Sequence, residues 1–306
     1  MSRTRLALIV ACLSGALVAV QTRINAALAV DLGDALLAAV VSFAVGLVAV
    51  VLVVAARPPA RAALPVLRQV PWWSFLGGFG GATLVAVAAF SAPRLGVALL
   101  TVGIVAGQTA GGLLVDRLGL GPGGAHALTA PRIVGVLVCL VAVGVSVAGR
   151  GAGEANPLLL LLAVLAGLLI SLQQALNGRV RRITGDAAVA TLVNFVVGLS
   201  ALLVAYAVIG FSRGWSVQAW PDAAHWWLYS GGPLGATFVA VAAVVVRTLG
   251  VLRLGLAVIA GQLVGAVALD ITFPAAAQGV ALATLVGVGL TFVAVAITGR
   301  AVRGPA

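Results

Sequence analysis

The chain has 306 residues, of which 62% are hydrophobic and only 8% charged, where soluble domains carry about 25% charged residues. That composition excludes a soluble globular protein and implies a polytopic membrane protein. The net charge of +11 comes from 18 basic residues, all Arg, against seven acidic ones; in so apolar a chain it speaks of membrane topology rather than of a nucleic-acid partner.

A helix needs about 20 apolar residues to cross a bilayer, and ten such stretches are predicted in chain order. The first, 5–27, begins with "MSRTRLALIVACLSGALVAV", which imitates a secretory signal; a similar segment recurs in mid-chain, so it is read as a span. Gln21 and Asn25 lie four residues apart on it and share a face, with Ser14 nearby, and Arg23 between them is expected to snorkel. The second span, 35–56, follows Asp34, a helix N-cap candidate, and carries Ser42 near its start. The third, 72–91, opens on Trp72 and Trp73 and contains "GGFGGAT", a packing stretch. The fourth, 95–116, holds Gln108 near its middle, flanked by Gly107 and Gly111, a close-approach pair one helical turn apart. It ends on Asp116, where the helix dipole disfavours a carboxylate. The fifth is 132–149. The remaining five are 157–178 (Ser171, Gln173, Gln174, Asn177), 187–209 (Asn194, after Asp186), 226–246, 251–270 (Gly261, Gln262, Gly265 and a terminal Asp270) and 277–298.

Arg concentrates in cytoplasmic loops. With the N-terminus inside and ten crossings, only Arg23, Arg94, Arg150 and Arg213 fall outside, leaving fourteen of the 18 inside. Both termini are therefore expected in the cytoplasm. The six Trp residues fall at or just beyond predicted span ends, where indole favours the headgroup zone.

The two halves repeat. "LSGALVAVQTRINAALAVDLGDALLAAVVSFAVGL", from Leu13, aligns without a gap with "LAGLLISLQQALNGRVRRITGDAAVATLVNFVVGL", from Leu165, an offset of 152. Gln21 meets Gln173, Asn25 meets Asn177, and Ser42 meets Asn194. "WWSFLGGFGGAT" meets "WWLYSGGPLGAT", and "AGQTAGGLLVD" from Ala106 meets "AGQLVGAVALD" from Ala260, both at an offset of 154. Each unit, 1–150 and 151–306, carries five spans. An odd number inverts the second copy, and the Arg pattern agrees: Arg179, Arg181 and Arg182 stand where the first copy has Ala27, Ala29 and Val30. The expected fold is all-α, ten transmembrane helices in two inverted five-helix repeats, an arrangement typical of secondary transporters with midplane binding sites.

The paired "QxxxN…GDA" and "AGQxxG" motifs resemble the drug/metabolite transporter superfamily, and within it the YdcZ-type inner-membrane exporters, in fused two-repeat form. The resemblance covers nearly all residues. It implies a ten-helix bundle in the bacterial inner membrane, alternating access, and export of a small metabolite or drug. Small multidrug relatives use a Glu inside their first helix for proton exchange; residues 6–20 here contain no carboxylate, which argues against that coupling.

The site candidates are amides and hydroxyls within spans: Gln21, Asn25, Ser42, Gln108, Gln173, Asn177, Asn194 and Gln262. An amide in hydrocarbon is costly unless bonded, so each either lines a substrate cavity or clamps neighbouring helices, and both readings stand. Asp116 and Asp270 are candidates for coupling or gating. Cys12, Cys139, His126 and His225 are too scattered for a metal, disulfide or catalytic centre. No phosphate-binding Gly-rich loop followed by Lys is present. The expected partners are a small-molecule substrate and membrane lipid, with no cofactor and no enzymatic activity. A lipid flippase of the same superfamily and a structural or regulatory membrane subunit are the alternatives.

Overall fold

The computed structural model describes residues 3–120, 124, 129–148, 156–214, 217–272 and 282–300. Helices dominate: α1 Arg3–Leu32, α2 Ala35–Ala56, α3 Pro58–Ala63, α4 Gly77–Leu95, α5 Val97–Leu118, α6 Ala130–Ala148, α7 Pro157–Thr184, α8 Ala187–Arg213, α9 Gly231–Thr272 and α10 Leu282–Arg300. Short 3-10 helices fill the connections before α4 and α9. Among the described residues six helices are long and apolar enough to cross a membrane. Shorter apolar helical stretches, Leu99–Val115, Ile133–Ala142, Ala257–Leu269 and Leu285–Ala294, fall within the other four predicted spans.

Local chemistry sets the helix ends. Asp34 caps α2 by accepting from the backbone N–H groups of Leu36 and Leu37 at 2.7 and 3.0 Å, and Asp186 caps α8 through Ala188 and Val189 in the same way. α4 stops at Gly96, whose φ of +75° only glycine adopts without strain, and α5 starts directly after it. Pro93 sits in the last turn of α4, where Arg94 Nη1 bonds the Phe90 carbonyl.

The sequence predicts two separate spans where α9 forms one run of helical turns, Gly231–Thr272. A straight helix of its 42 residues would be about 63 Å long. Yet Gly231 lies against Asn25 of α1, and Gly261 and Gly265 lie against Cys12 to Ala19 of the same helix. Those α1 positions span only about 20 Å. The run therefore doubles back between Val245 and Leu254, both buried in one cluster with Ala7, Ala11 and Val18 of α1. Its two arms stand to α1 as α4 and α5 stand to α7.

The packing exchanges partners between the halves. α1 packs most extensively on α9, and α7 on α5 and α4. α2 packs on α8, and their shared cluster includes Phe43, Val50, Val189, Phe195 and Leu202. The outward surfaces are apolar, as at Leu52, Val204, Val208 and Phe211 (84% exposed), as expected of a protein whose solvent is lipid.

Candidate functional site

Glycine governs where helices meet. A Cβ on Gly15 would overlap the Val258 carbonyl, and one on Gly261 the Cys12 carbonyl. The mirror crossing repeats this: Gly167 would overlap the Ile104 carbonyl and Gly107 the Val164 carbonyl. Each pair is the other shifted by the repeat offsets, with the halves exchanged. The two "AGQ" motifs thus seat α5 on α7 and α9 on α1, backbone against backbone. Gln108 lies in the first crossing, where Ser171 Oγ donates to its backbone carbonyl at 2.7 Å, and Gln262 lies in the second. Both side chains are buried, and neither Oε1 has a hydrogen-bond partner among the described residues.

The remaining amides form two clusters. In the first, Gln21 and Asn25 of α1 and Ser42 of α2 gather at the start of α9. Asn25 Oδ1 occupies the place a Cβ of Gly231 would take, and the Gln21 amide covers Gly235. In the second, Gln173 and Asn177 of α7 and Asn194 of α8 gather at the start of α4, against Gly77, Gly80 and Gly81. Glycine at these helix starts leaves room for an amide against the backbone. Between the clusters Phe43 stacks on Phe195, ring centroids 4.9 Å apart and tilted by 32°. These two residues are each other's repeat counterparts.

The clusters differ in their bonding. In the second, Asn177 Nδ2 donates to Asn194 Oδ1 at 3.0 Å, while the buried Gln173 Oε1 has no hydrogen-bond partner among the described residues. In the first cluster Asn25 Nδ2, Asn25 Oδ1 and Ser42 Oγ are all buried with no hydrogen-bond partner among the described residues. Two further contacts tie down the second cluster's end of the molecule. Arg57 Nη2 pairs with Asp186 Oδ2 at 3.4 Å, and the Arg179 guanidinium stacks 4.5 Å over the Trp73 ring.

All eight predicted amide and hydroxyl residues are buried, and the structure gathers six of them into the two clusters. Gln108 and Gln262 stand apart at their crossings. The side chains of Asp116 and Asp270 lie outside the described residues, as do Cys139 and His126. His225 Nδ1 pairs with Asp222 at 2.7 Å, and this hydrogen bond holds that carboxyl below the usual aspartate range. Sequence reasoning missed Phe43 and Phe195 as a central pair, although the Phe recurs at the repeat offset inside "SFAVGL" and "NFVVGL". It also read Arg179 only as a topology marker.

A family model described as "Putative inner membrane exporter, YdcZ" matches the chain twice, over residues 6–146 and 158–297. A crystal structure of a protein 20% identical in sequence shares the fold, with a TM-score of 0.62 over 99% of this chain and 98% of that one. No curated protein matches the sequence.

Proposed function

This chain belongs to the YdcZ family of inner membrane exporters, and from that premise we propose that it is a secondary transporter exporting a small polar or amphipathic metabolite by alternating access. Ten crossings, two inverted five-helix repeats (1–150 and 151–306) and cytoplasmic termini in a bacterial inner membrane complete the reading.

The observation that carries it is the reciprocal packing about Phe43 and Phe195. A contact from residue i of one repeat to residue j of the other recurs as j to i, which is the behaviour of a two-fold axis. The Gly15–Val258 and Gly167–Ile104 contacts obey it, as do Gly231–Asn25 and Gly77–Asn177. Only a residue on the axis meets its own counterpart, as Phe43 meets Phe195. With five spans per repeat this axis lies in the membrane plane, so the two amide clusters face opposite sides of the bilayer. Rocking one set of helices against the other about the Phe pair would open each cluster in turn.

Amides and hydroxyls bond neutral or zwitterionic solutes without desolvating a fixed charge. No carboxylate lies in either cluster among the described residues, so transport follows the solute gradient rather than a proton. Purified protein in liposomes, supplied with a panel of labelled metabolites, is expected to show flux with no imposed pH gradient. Strict dependence on that gradient, abolished by Asp116→Asn or Asp270→Asn, would instead identify a proton antiporter. Movement of a labelled lipid between leaflets without solute flux would identify a flippase.

A further inference from the structure

Resting on the transporter reading above, we propose that the two clusters are not equivalent. The first, Gln21–Asn25–Ser42, is the docking site for the transported molecule, and it takes an uncharged group with a donor and an acceptor side by side, as in a carboxamide. The second is a clamp closed by the Asn177–Asn194 hydrogen bond.

The difference comes from one position. Asn194 reaches Asn177 at 3.0 Å. Its counterpart Ser42 is shorter, and among the described residues Asn25 has no partner for either amide atom though only 1% of the residue is exposed. The Ser42 hydroxyl, also 1% exposed, is unpartnered as well. A buried amide without partners carries its full desolvation penalty. The same protein contains the simple remedy, an Asn at the facing position, and applies it in one repeat only. A ligand that bonds Asn25 removes the penalty on binding, so the unsatisfied amide becomes affinity.

The rest of the second cluster's surroundings agrees with a clamp. Arg57 and Arg179 hold its end through Asp186 and Trp73. At the repeat offsets their counterparts are Ile209 and Ala27, whereas Asp34 and Trp227 keep the other halves of those pairs. Each of these two ties has thus lost one member on the first cluster's side, where the Gln218 N–H donates to the Leu32 carbonyl at 3.0 Å instead. The ligand class follows from the donors and acceptors present. An amide edge offers one N–H donor beside one carbonyl acceptor and is matched by another amide edge. Gln21, Asn25 and Ser42 are uncharged, so a full charge docked among them would be unpaired.

The test uses the full chain in liposomes with labelled L-glutamine and L-asparagine as probes and L-glutamate and L-aspartate as charged isosteres. The carboxamides are expected to move faster than the acids. Ser42→Asn, which transplants the second cluster's partner, is expected to raise the melting temperature and lower carboxamide flux by about fivefold, the worth of a hydrogen bond diverted from ligand to protein. Asn25→Leu is expected to lose flux without loss of melting temperature, whereas Asn177→Leu, which strands Asn194, should melt lower by about 2 °C, the shift that about 1 kcal/mol produces in a chain of this size. The proposal is overturned if Asn25→Leu melts as low as Asn177→Leu, or if Ser42→Asn leaves flux unchanged. Flux of other metabolites but of none of the four probes overturns the carboxamide class. Absence of any solute flux in the unmodified protein counts against the transporter reading, while the melting comparison still decides between dock and clamp.

Discussion

At the scale of single residues, glycines carry the fold as much as apolar bulk does. Gly112 and Gly167 are both helical, but a Cβ on Gly112 meets nothing within 4 Å, whereas one on Gly167 meets the backbone of Ile104 and Gln108. Backbone cannot step aside as a flexible side chain can. Gly167→Ala is therefore expected to destabilise by about 1–3 kcal/mol through overpacking. Gly112→Ala should be neutral or gain up to about 1 kcal/mol from helix propensity. Thermal melts of the two variants in detergent check this, and equal effects would refute the close-approach account. This contrast was partly legible in the sequence. The "AGQxxG" spacing marked Gly107, Gly111, Gly261 and Gly265 as interface residues, and all four lie against a neighbouring helix. The partner helix was not legible, because a GxxxG pattern states that a backbone approaches without stating whose. For the same reason the amides Gln21, Asn25, Gln173 and Asn177 were recognisable as inward-facing, while the Asn177–Asn194 bond and its absence at Asn25 required the structure.

At the scale of elements, helix limits followed the sequence closely where a cap was present. α2 occupies the predicted 35–56, set by Asp34 before it. α1 and α7 run further than predicted, to Leu32 and Thr184, ending just before Gly33 and Gly185, both at positive φ. Hydropathy marks where lipid ends, whereas a helix continues until its backbone is turned. The two Asp caps allow a separation of effects. Asp34→Ala removes only a cap, expected to cost about 1 kcal/mol. Asp186→Ala removes a cap and the partner of Arg57, whose side chain is 51% exposed. A double-mutant cycle of Arg57→Ala with Asp186→Ala should return a coupling of about 0.2–1 kcal/mol, weakening with salt. Coupling that is zero at low salt would remove the ion pair from the clamp.

At the scale of the whole molecule, the proposed inversion has a direct check. A Cys introduced at Ser216 should react with a membrane-impermeant thiol reagent added outside, and one at Ala62 should not, in cells lacking Cys12 and Cys139. The opposite pattern would reverse the orientation. The exchange of partners between the halves also bears on how the chain is made. α1 carries Gln21 and Asn25 into the membrane first, yet the glycines that receive them, Gly231 and Gly235, are some 200 residues further along. At a synthesis rate of about 5–20 residues per second, α1 waits roughly 10–40 s with its amides facing lipid or a temporary partner. Its mirror image α7 meets α4 and α5 already in place. Biogenesis is thus lopsided even where the finished architecture is symmetric, and the first helix is the one that depends on shelter from the insertion machinery.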